Sequence, residues 1–181
     1  TMNCCLFNTK EVMTGGFEMG NIWYNEPKTI DTACDVLGDI IMMSASMQYG
    51  GWSTRVDDLL APYVEKSYKI YYDELINYGL PKKKAKEIAL QKANRDLEQG
   101  IQGLEMKLNS VASSRGDYPF TTFAFGLGTS KWEQMVSKAI LNVRMGGQGK
   151  KGFKRPVLFP KLIFLYDENL HGKGKELEDI F

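Results

Sequence analysis

Cys4 and Cys5 stand side by side in a short apolar stretch, Asn3-Cys4-Cys5-Leu6-Phe7-Asn8, and Cys34 is the third cysteine. Thiols do nucleophilic, metal-binding, redox and radical work. A structural zinc site does not suit this set, because no CxxC pair is present and the single histidine, His171, lies far away. An odd count with two adjacent residues does not suit a secreted disulfide framework either, and a reducing, cytoplasmic setting fits better. Residues 3–8 read as a strand in which Cys5 and Phe7 share one face and Cys4 and Leu6 the other, so only one thiol can face a given site. From the residues alone, this pair is either a buried small hydrophobe or an active-site thiol on a strand.

Other groups invite chemistry. Gly147-Gln148-Gly149-Lys150 looks like a phosphate cradle, but a P-loop needs a strand before the glycines and a helix after them. Here a helix precedes the loop and a strand follows it. Lys150, Lys151, Lys154 and Arg155 could still hold phosphates; the plain alternative is a solvated turn. Arg115-Gly116-Asp117 reads as a turn. His171 falls in a polar tail and receives no role. Asp57, Asp58, Glu176 and Glu178 read as surface charges and capping groups.

The elements that must position these groups follow from periodicity. After the strand at 3–8, residues 10–27 read as an irregular connection. Ile30, Ala33, Leu37, Ile40, Ile41, Ser44 and Met47 recur at helical spacing over 29–49, with Thr29 or Asp31 as cap and Gly50-Gly51 as stop. Residues 52–60 read as a connection, and Pro62 suits the first turn of a helix ending near Tyr78. A third helix spans about 81–113, with Leu90, Ala93, Leu97, Ile101, Leu104, Leu108 and Val111 in alternating three- and four-residue steps. Gly100 and Gly103 inside it point either to close approach of another backbone or to surface tolerance. A strand follows at 118–125. Ser130-Lys131-Trp132-Glu133 is a capping box that opens a helix ending at Gly146-Gly147. Residues 156–166 read as a nearly continuous apolar strand.

Strands separated by helical crossovers imply parallel pairing, hence an α/β class with a partial barrel or an open sheet. Three visible strands are too few for a closed barrel, and Thr1-Met2-Asn3 enters a strand at once, so the 181 residues are expected to be a single piece, 1–181, of a larger protein. Hydrophobic residues make up 43% and charged residues 25%, as in an ordinary globular domain. Lys plus Arg is 23 against 22 for Asp plus Glu, a net charge of +1 that gives no pull toward nucleic acid or anionic membrane. No apolar run approaches the roughly 20 residues needed to span a bilayer.

An ordered set of stretches resembles the catalytic subunit of the anaerobic (class III, glycyl-radical) ribonucleoside-triphosphate reductases. The stretches are Asn3-Cys4-Cys5-Leu6, Pro27-Lys28-Thr29-Ile30-Asp31-Thr32-Ala33, Gln48-Tyr49-Gly50-Gly51, Leu60-Ala61-Pro62-Tyr63-Val64, Pro119 to Thr129, and Phe159-Pro160-Lys161-Leu162. Ser114-Arg115-Gly116-Asp117 departs from the pattern, where relatives more often carry Asn-Gly-Gln.

The resemblance implies a ten-stranded α/β barrel, of which this chain would form the first half-barrel region and its helices. It implies an oxidoreductase that makes 2′-deoxyribonucleoside triphosphates from ribonucleoside triphosphates by glycyl and thiyl radical chemistry. The reducing thiol would be Cys5, with Cys4 as the alternative. The thiyl-radical cysteine, the radical glycine and a structural zinc would lie beyond Phe181, leaving the piece inactive alone and without a cofactor of its own. Nucleotide effectors, a radical-SAM activating enzyme and a homodimer are the implied partners, with the effector site at helices like 29–49 and 81–113. Two other readings are a helical module dimerising through the 90–111 stripe and a nucleotide-binding protein using 146–155.

Overall fold

A computed structural model describes residues 4–6, 8–47, 51–112 and 116–181, with the backbone alone at Cys4, Cys5, Leu6 and Met47. The elements run β1 (Cys4–Leu6), α1 (Thr9–Met13), β2 (Phe17–Met19), β3 (Ile22–Tyr24), α2 (Ile30–Met47), β4 (Gly51–Arg55), α3 (Val56–Asn77), α4 (Lys82–Ser110), β5 (Phe120–Phe125), α5 (Lys131–Gly146), β6 (Lys161–Phe164) and α6 (Glu168–His171). A single 3₁₀ turn at Glu178–Ile180 follows.

Four strands form a parallel sheet in the order β1-β4-β5-β6. The α/β class and the parallel pairing expected from the helical crossovers are therefore present. β4 was not expected. Gly50-Gly51 reads as a helix stop, and Gly51-Trp52-Ser53-Thr54-Arg55 is too short and mixed to announce a strand. It becomes one because β1 and β5 offer it backbone partners on both sides. α3 then starts directly after β4, so Pro62 sits inside that helix rather than at its first turn.

Rows of paired residues alternate between the two faces of the sheet. The Trp52–Thr121 and Thr54–Phe123 rows and Phe125 belong to the face that the helices cover. Trp52, Thr121, Phe123 and Phe125 are all buried there. The Gly51–Phe120, Ser53–Thr122–Lys161 and Arg55–Ala124–Ile163 rows belong to the other face. Phe120, Lys161, Ile163 and Arg55 are exposed on it. β6 is the last strand of the order and is half-exposed, not the buried strand that its apolar run suggests.

On the covered face α2 and α3 both pack along α4, and α5 packs against α3 and α4. Ile30, Ala33, Leu37, Ile40 and Ile41 supply the α2 side of one continuous core with Trp52, Leu60, Val64, Phe123, Val136 and Ile140. The start of α2 is tied to α3, since Ile30 N–H donates to Ser67 Oγ at 2.8 Å. Of the α4 stripe, Leu97, Ile101, Leu104 and Leu108 are inside that core, Ala93 is buried as well, and Leu90 is half-buried. The stripe is not open as a dimerisation face. Val111 lies past the end of α4 and is exposed. Gly100 and Gly103 divide between their two readings: a Cβ at Gly100 would meet Cys34 Sγ at 2.9 Å, while one at Gly103 would meet nothing within 4 Å. The far end of the α3–α4 hairpin has a small core of its own around Leu75, Ala85 and Ala89.

The 10–27 connection holds more order than its glycines suggest: α1, then the β2–β3 hairpin, with Phe17 stacked on Tyr24. The capping box forms as expected, with Glu133 N–H donating to Ser130 Oγ and Ser130 N–H to Glu133 Oε2. Before β6, the strap from 147 to 160 is pinned from α4. Asn109 Oδ1 accepts from Leu158 N–H and Phe159 N–H, and its Nδ2 donates to Phe159 O at 2.6 Å. Arg144 donates to Glu105 Oε1 at 2.9 Å and to Pro160 O at 2.6 Å.

Candidate functional site

In open α/β sheets, ligands sit beyond the carboxyl ends of the parallel strands. At that edge a cleft of about 360 Å³ opens, lined by Asn8, Thr9, Lys10, Ser53, Thr54, Arg55, Asp58, Leu59 and Ala124. Its walls come from the segment after β1, the end of β4, the first turn of α3 and the end of β5. Lys10 Nζ lies 2.7 Å from Asp58 Oδ1, and both side chains are well exposed.

Behind the cleft stands Asp57, whose side chain is wholly buried. Burying a carboxylate is costly unless every oxygen is engaged. Here Oδ1 accepts from Arg55 Nε at 3.0 Å and from Asp58 N–H at 2.9 Å. Oδ2 accepts from Gly126 N–H at 3.0 Å and Gly128 N–H at 3.1 Å. The side chain thus ties the end of β4 to the loop after β5. Asp57 and Asp58 read in the sequence as surface charges and capping groups; burial overturns the first for Asp57, which does accept backbone N–H groups, and Asp58 is the surface charge.

His171 is corrected in the same way. It is 3% exposed, in no sense part of a solvated tail. Nε2 donates to Gly126 O at 2.7 Å, and Nδ1 accepts from Asp167 N–H at 3.0 Å. Phe164 and Tyr166 pack on its ring. The segment after Asp167 folds back because it carries Leu177 and Ile180, both buried. Gly126 has φ +114°, which favours glycine, and a Cβ there would run into the Phe164 ring at 2.8 Å. No local pattern marks Asp57 or His171. The only signal is the glycine-bracketed loop Gly126-Leu127-Gly128, which needs partners for its backbone groups.

The other expected site residues fall elsewhere. Cys4 and Cys5 lie in β1 beside β4, Cys4 paired with Gly51 and Cys5 with Trp52. Cys34 is buried against α4, and burial, helped by Asp35 and Asp31, pushes its thiol far above the ordinary range. It is therefore an inert core residue. The 146–155 loop folds back on itself through paired Gln148 and Arg155 backbones, with Lys150, Lys151, Lys154 and Arg155 exposed. Lys154 borders a separate polar cleft of about 290 Å³ with Arg95, Glu98, Gln99 and Gln102. The Arg115 end of the Arg-Gly-Asp turn lies outside the described residues. Among the described residues no helix is long and apolar enough to cross a membrane.

The sequence matches a family model described as "Anaerobic ribonucleoside-triphosphate reductase" over residues 1–181. It is 37% identical over 180 residues to the anaerobic ribonucleoside-triphosphate reductase of Escherichia coli (strain K12), covering 98% of this chain and 25% of that protein. The enzyme of the same name from Haemophilus influenzae is 38% identical over 180 residues, with 98% and 25% covered. That of enterobacteria phage T4 is 35% identical over 170 residues, with 93% and 27% covered. The chain thus spans about a quarter of the length of these relatives. A match that runs through every element of the sheet and its helical cover shows that this chain belongs to the anaerobic ribonucleoside-triphosphate reductase family.

Proposed function

We propose that the chain is the part of an anaerobic ribonucleotide reductase that builds the first strands of its catalytic barrel. The whole enzyme would convert ribonucleoside triphosphates to 2′-deoxyribonucleoside triphosphates. The observation that carries this reading is the family match along the entire chain, joined to a parallel sheet that, among the described residues, has its helices on one face. A half-barrel has that form: helices outside, and an inner face waiting for the rest of the barrel.

In this reading a glycyl radical, held elsewhere in the enzyme, supplies the oxidising equivalent through a thiyl radical that takes hydrogen from ribose C3′. This chain contributes a thiol on β1 that acts together with formate or a small redox protein, the two supplying the two reducing equivalents while the 2′-hydroxyl leaves as water. Cys5 and Cys4 are the two candidates, and the strand register favours Cys4. Its row continues through Gly51 to Phe120 on the uncovered face, whereas the Cys5 row continues through Trp52 to Thr121 on the face packed by helices. The structural zinc, the nucleotide effectors, the radical-SAM activating enzyme and the homodimer belong to the proposal as well.

The test uses the full-length reductase. Cys4→Ala should abolish deoxyribonucleotide formation while the glycyl-radical signal in electron paramagnetic resonance stays intact. Cys5→Ala should retain turnover. Full activity in both variants would sink the assignment of the reducing thiol to β1.

A further inference from the structure

Arg55 ends β4 on the uncovered face, paired with Ala124, and borders the cleft at the strand ends. Its guanidinium does not swing freely. Nε is held 3.0 Å from Asp57 Oδ1, and Asp57 is itself fixed by the N–H groups of Asp58, Gly126 and Gly128. One edge of the planar fork is therefore anchored, and the other edge, Nη1 and Nη2, is presented in a set direction.

That second edge has no hydrogen-bond acceptor among the described residues. The Glu133 carboxylate comes nearest, with Oε1 3.8 Å from Nη2, and its Oε2 is taken by Ser130 N–H. Among the described residues lining the cleft the single acid, Asp58, already pairs with Lys10. Ser53 and Thr54 complete the lining, the Thr54 hydroxyl bonded to that of Thr9 at 3.3 Å, and α3 starts here with the positive end of its dipole. An arginine fork pre-set by a buried carboxylate and left half-vacant is built to take two oxygens of one planar or tetrahedral oxyanion.

We propose that this cleft is an oxyanion site with Arg55 as its specific ligand, and that the oxyanion is the phosphate tail of the nucleotide substrate. This rests on the function proposed above. Asp57 acts through Arg55, as its positioning residue.

The experiment compares full-length wild-type enzyme with Arg55→Gln and Arg55→Lys. It measures the Kd of a ribonucleoside triphosphate, the Kd of the matching unphosphorylated nucleoside, and competition by inorganic triphosphate and by acetate. Arg55→Gln should weaken triphosphate binding by about tenfold or more and leave the nucleoside unchanged. Arg55→Lys, which keeps the charge toward Asp57 and loses the fork, should fall between, and glycyl-radical yield reports whether each variant is folded. Inorganic triphosphate should compete in the wild type and lose that effect in Arg55→Gln. Competition by acetate as strong as by triphosphate would overturn the phosphate assignment in favour of a small carboxylate. An unchanged nucleotide Kd in both variants of an active reductase would overturn the site and leave the reductase reading standing. Arg55-dependent triphosphate binding in a wild-type protein that reduces no ribonucleotide would do the reverse.

Discussion

His171 Nε2 lies 2.7 Å from the carbonyl oxygen of Gly126, whose N–H is held in turn by Asp57. Two buried polar side chains, from 69 residues before and 45 residues after, thus hold both backbone groups of one glycine at the end of strand β5. His171→Phe keeps a ring between Phe164 and Tyr166 but leaves the carbonyl unpaired. It should cost about 1–3 kcal/mol of stability, read as a lower urea midpoint. His171→Ala should cost more, because the ring packing goes too. Equal stability of His171→Phe and wild type would show that water replaces the bond.

Gly100 and Gly103 should respond in opposite directions. Alanine at Gly100 drives a methyl to 2.9 Å from Cys34 Sγ and 3.2 Å from its Cβ, so Gly100→Ala should destabilise by about 1–3 kcal/mol. Gly103→Ala meets open space and should stabilise by about 0.8–1 kcal/mol through helix propensity alone. Thermal unfolding of the two variants side by side checks both signs.

Arg144 and Glu105 form the ion pair that fastens the strap before β6, and Glu105 is only 1% exposed. Arg144→Ala leaves that carboxylate without its cation, held among the described residues only by the Gln148 amide at 3.3 Å, and frees the Pro160 carbonyl, and should cost about 3 kcal/mol. Replacing both partners together, Glu105→Leu with Arg144→Met, should recover most of the loss, because no buried charge is then left alone. Denaturant unfolding of the single and double variants measures the difference. A double variant no more stable than Arg144→Ala would count against the desolvation argument.

Two tyrosines set an alkaline limit. Burial, with Glu26 adding, pushes Tyr63 up to about 12; the hydrogen bond to Asp96, with burial adding, pushes Tyr71 up to about 12. An unfolded tyrosine titrates near pH 10. A folded-state pKa above the unfolded one favours the neutral form in the fold, so this stability is complete below about pH 10 and lost as pH rises toward 12. Unfolding free energy should fall across that window, with phenolate absorbance appearing late. Tyr63→Phe should flatten part of the fall. A flat profile from pH 10 to 12 in the wild type would contradict the shifts.

Periodicity and capping were enough to place the long elements. Ile30 to Ile41 and Ala93 to Leu108 repeat often enough for one helix face to be read directly, and Ser130 with Glu133 marks a helix start by local hydrogen bonding alone. The family too was legible in linear stretches such as Pro119 to Thr129, because close packing and backbone constraints act there on neighbours in sequence. Tertiary structure decided the rest. β4 exists because β1 and β5 flank it. The α4 stripe is core because α2 and α3 close over it. Asp57 and His171 became buried anchors because a glycine loop distant in sequence supplied the backbone groups that satisfy them. Such partners are set by contact across the fold, and no spacing along the chain records them. For the cysteine pair, alternation puts the two residues on opposite faces, and the fold adds the register, Cys4 beside Gly51 and Cys5 beside Trp52.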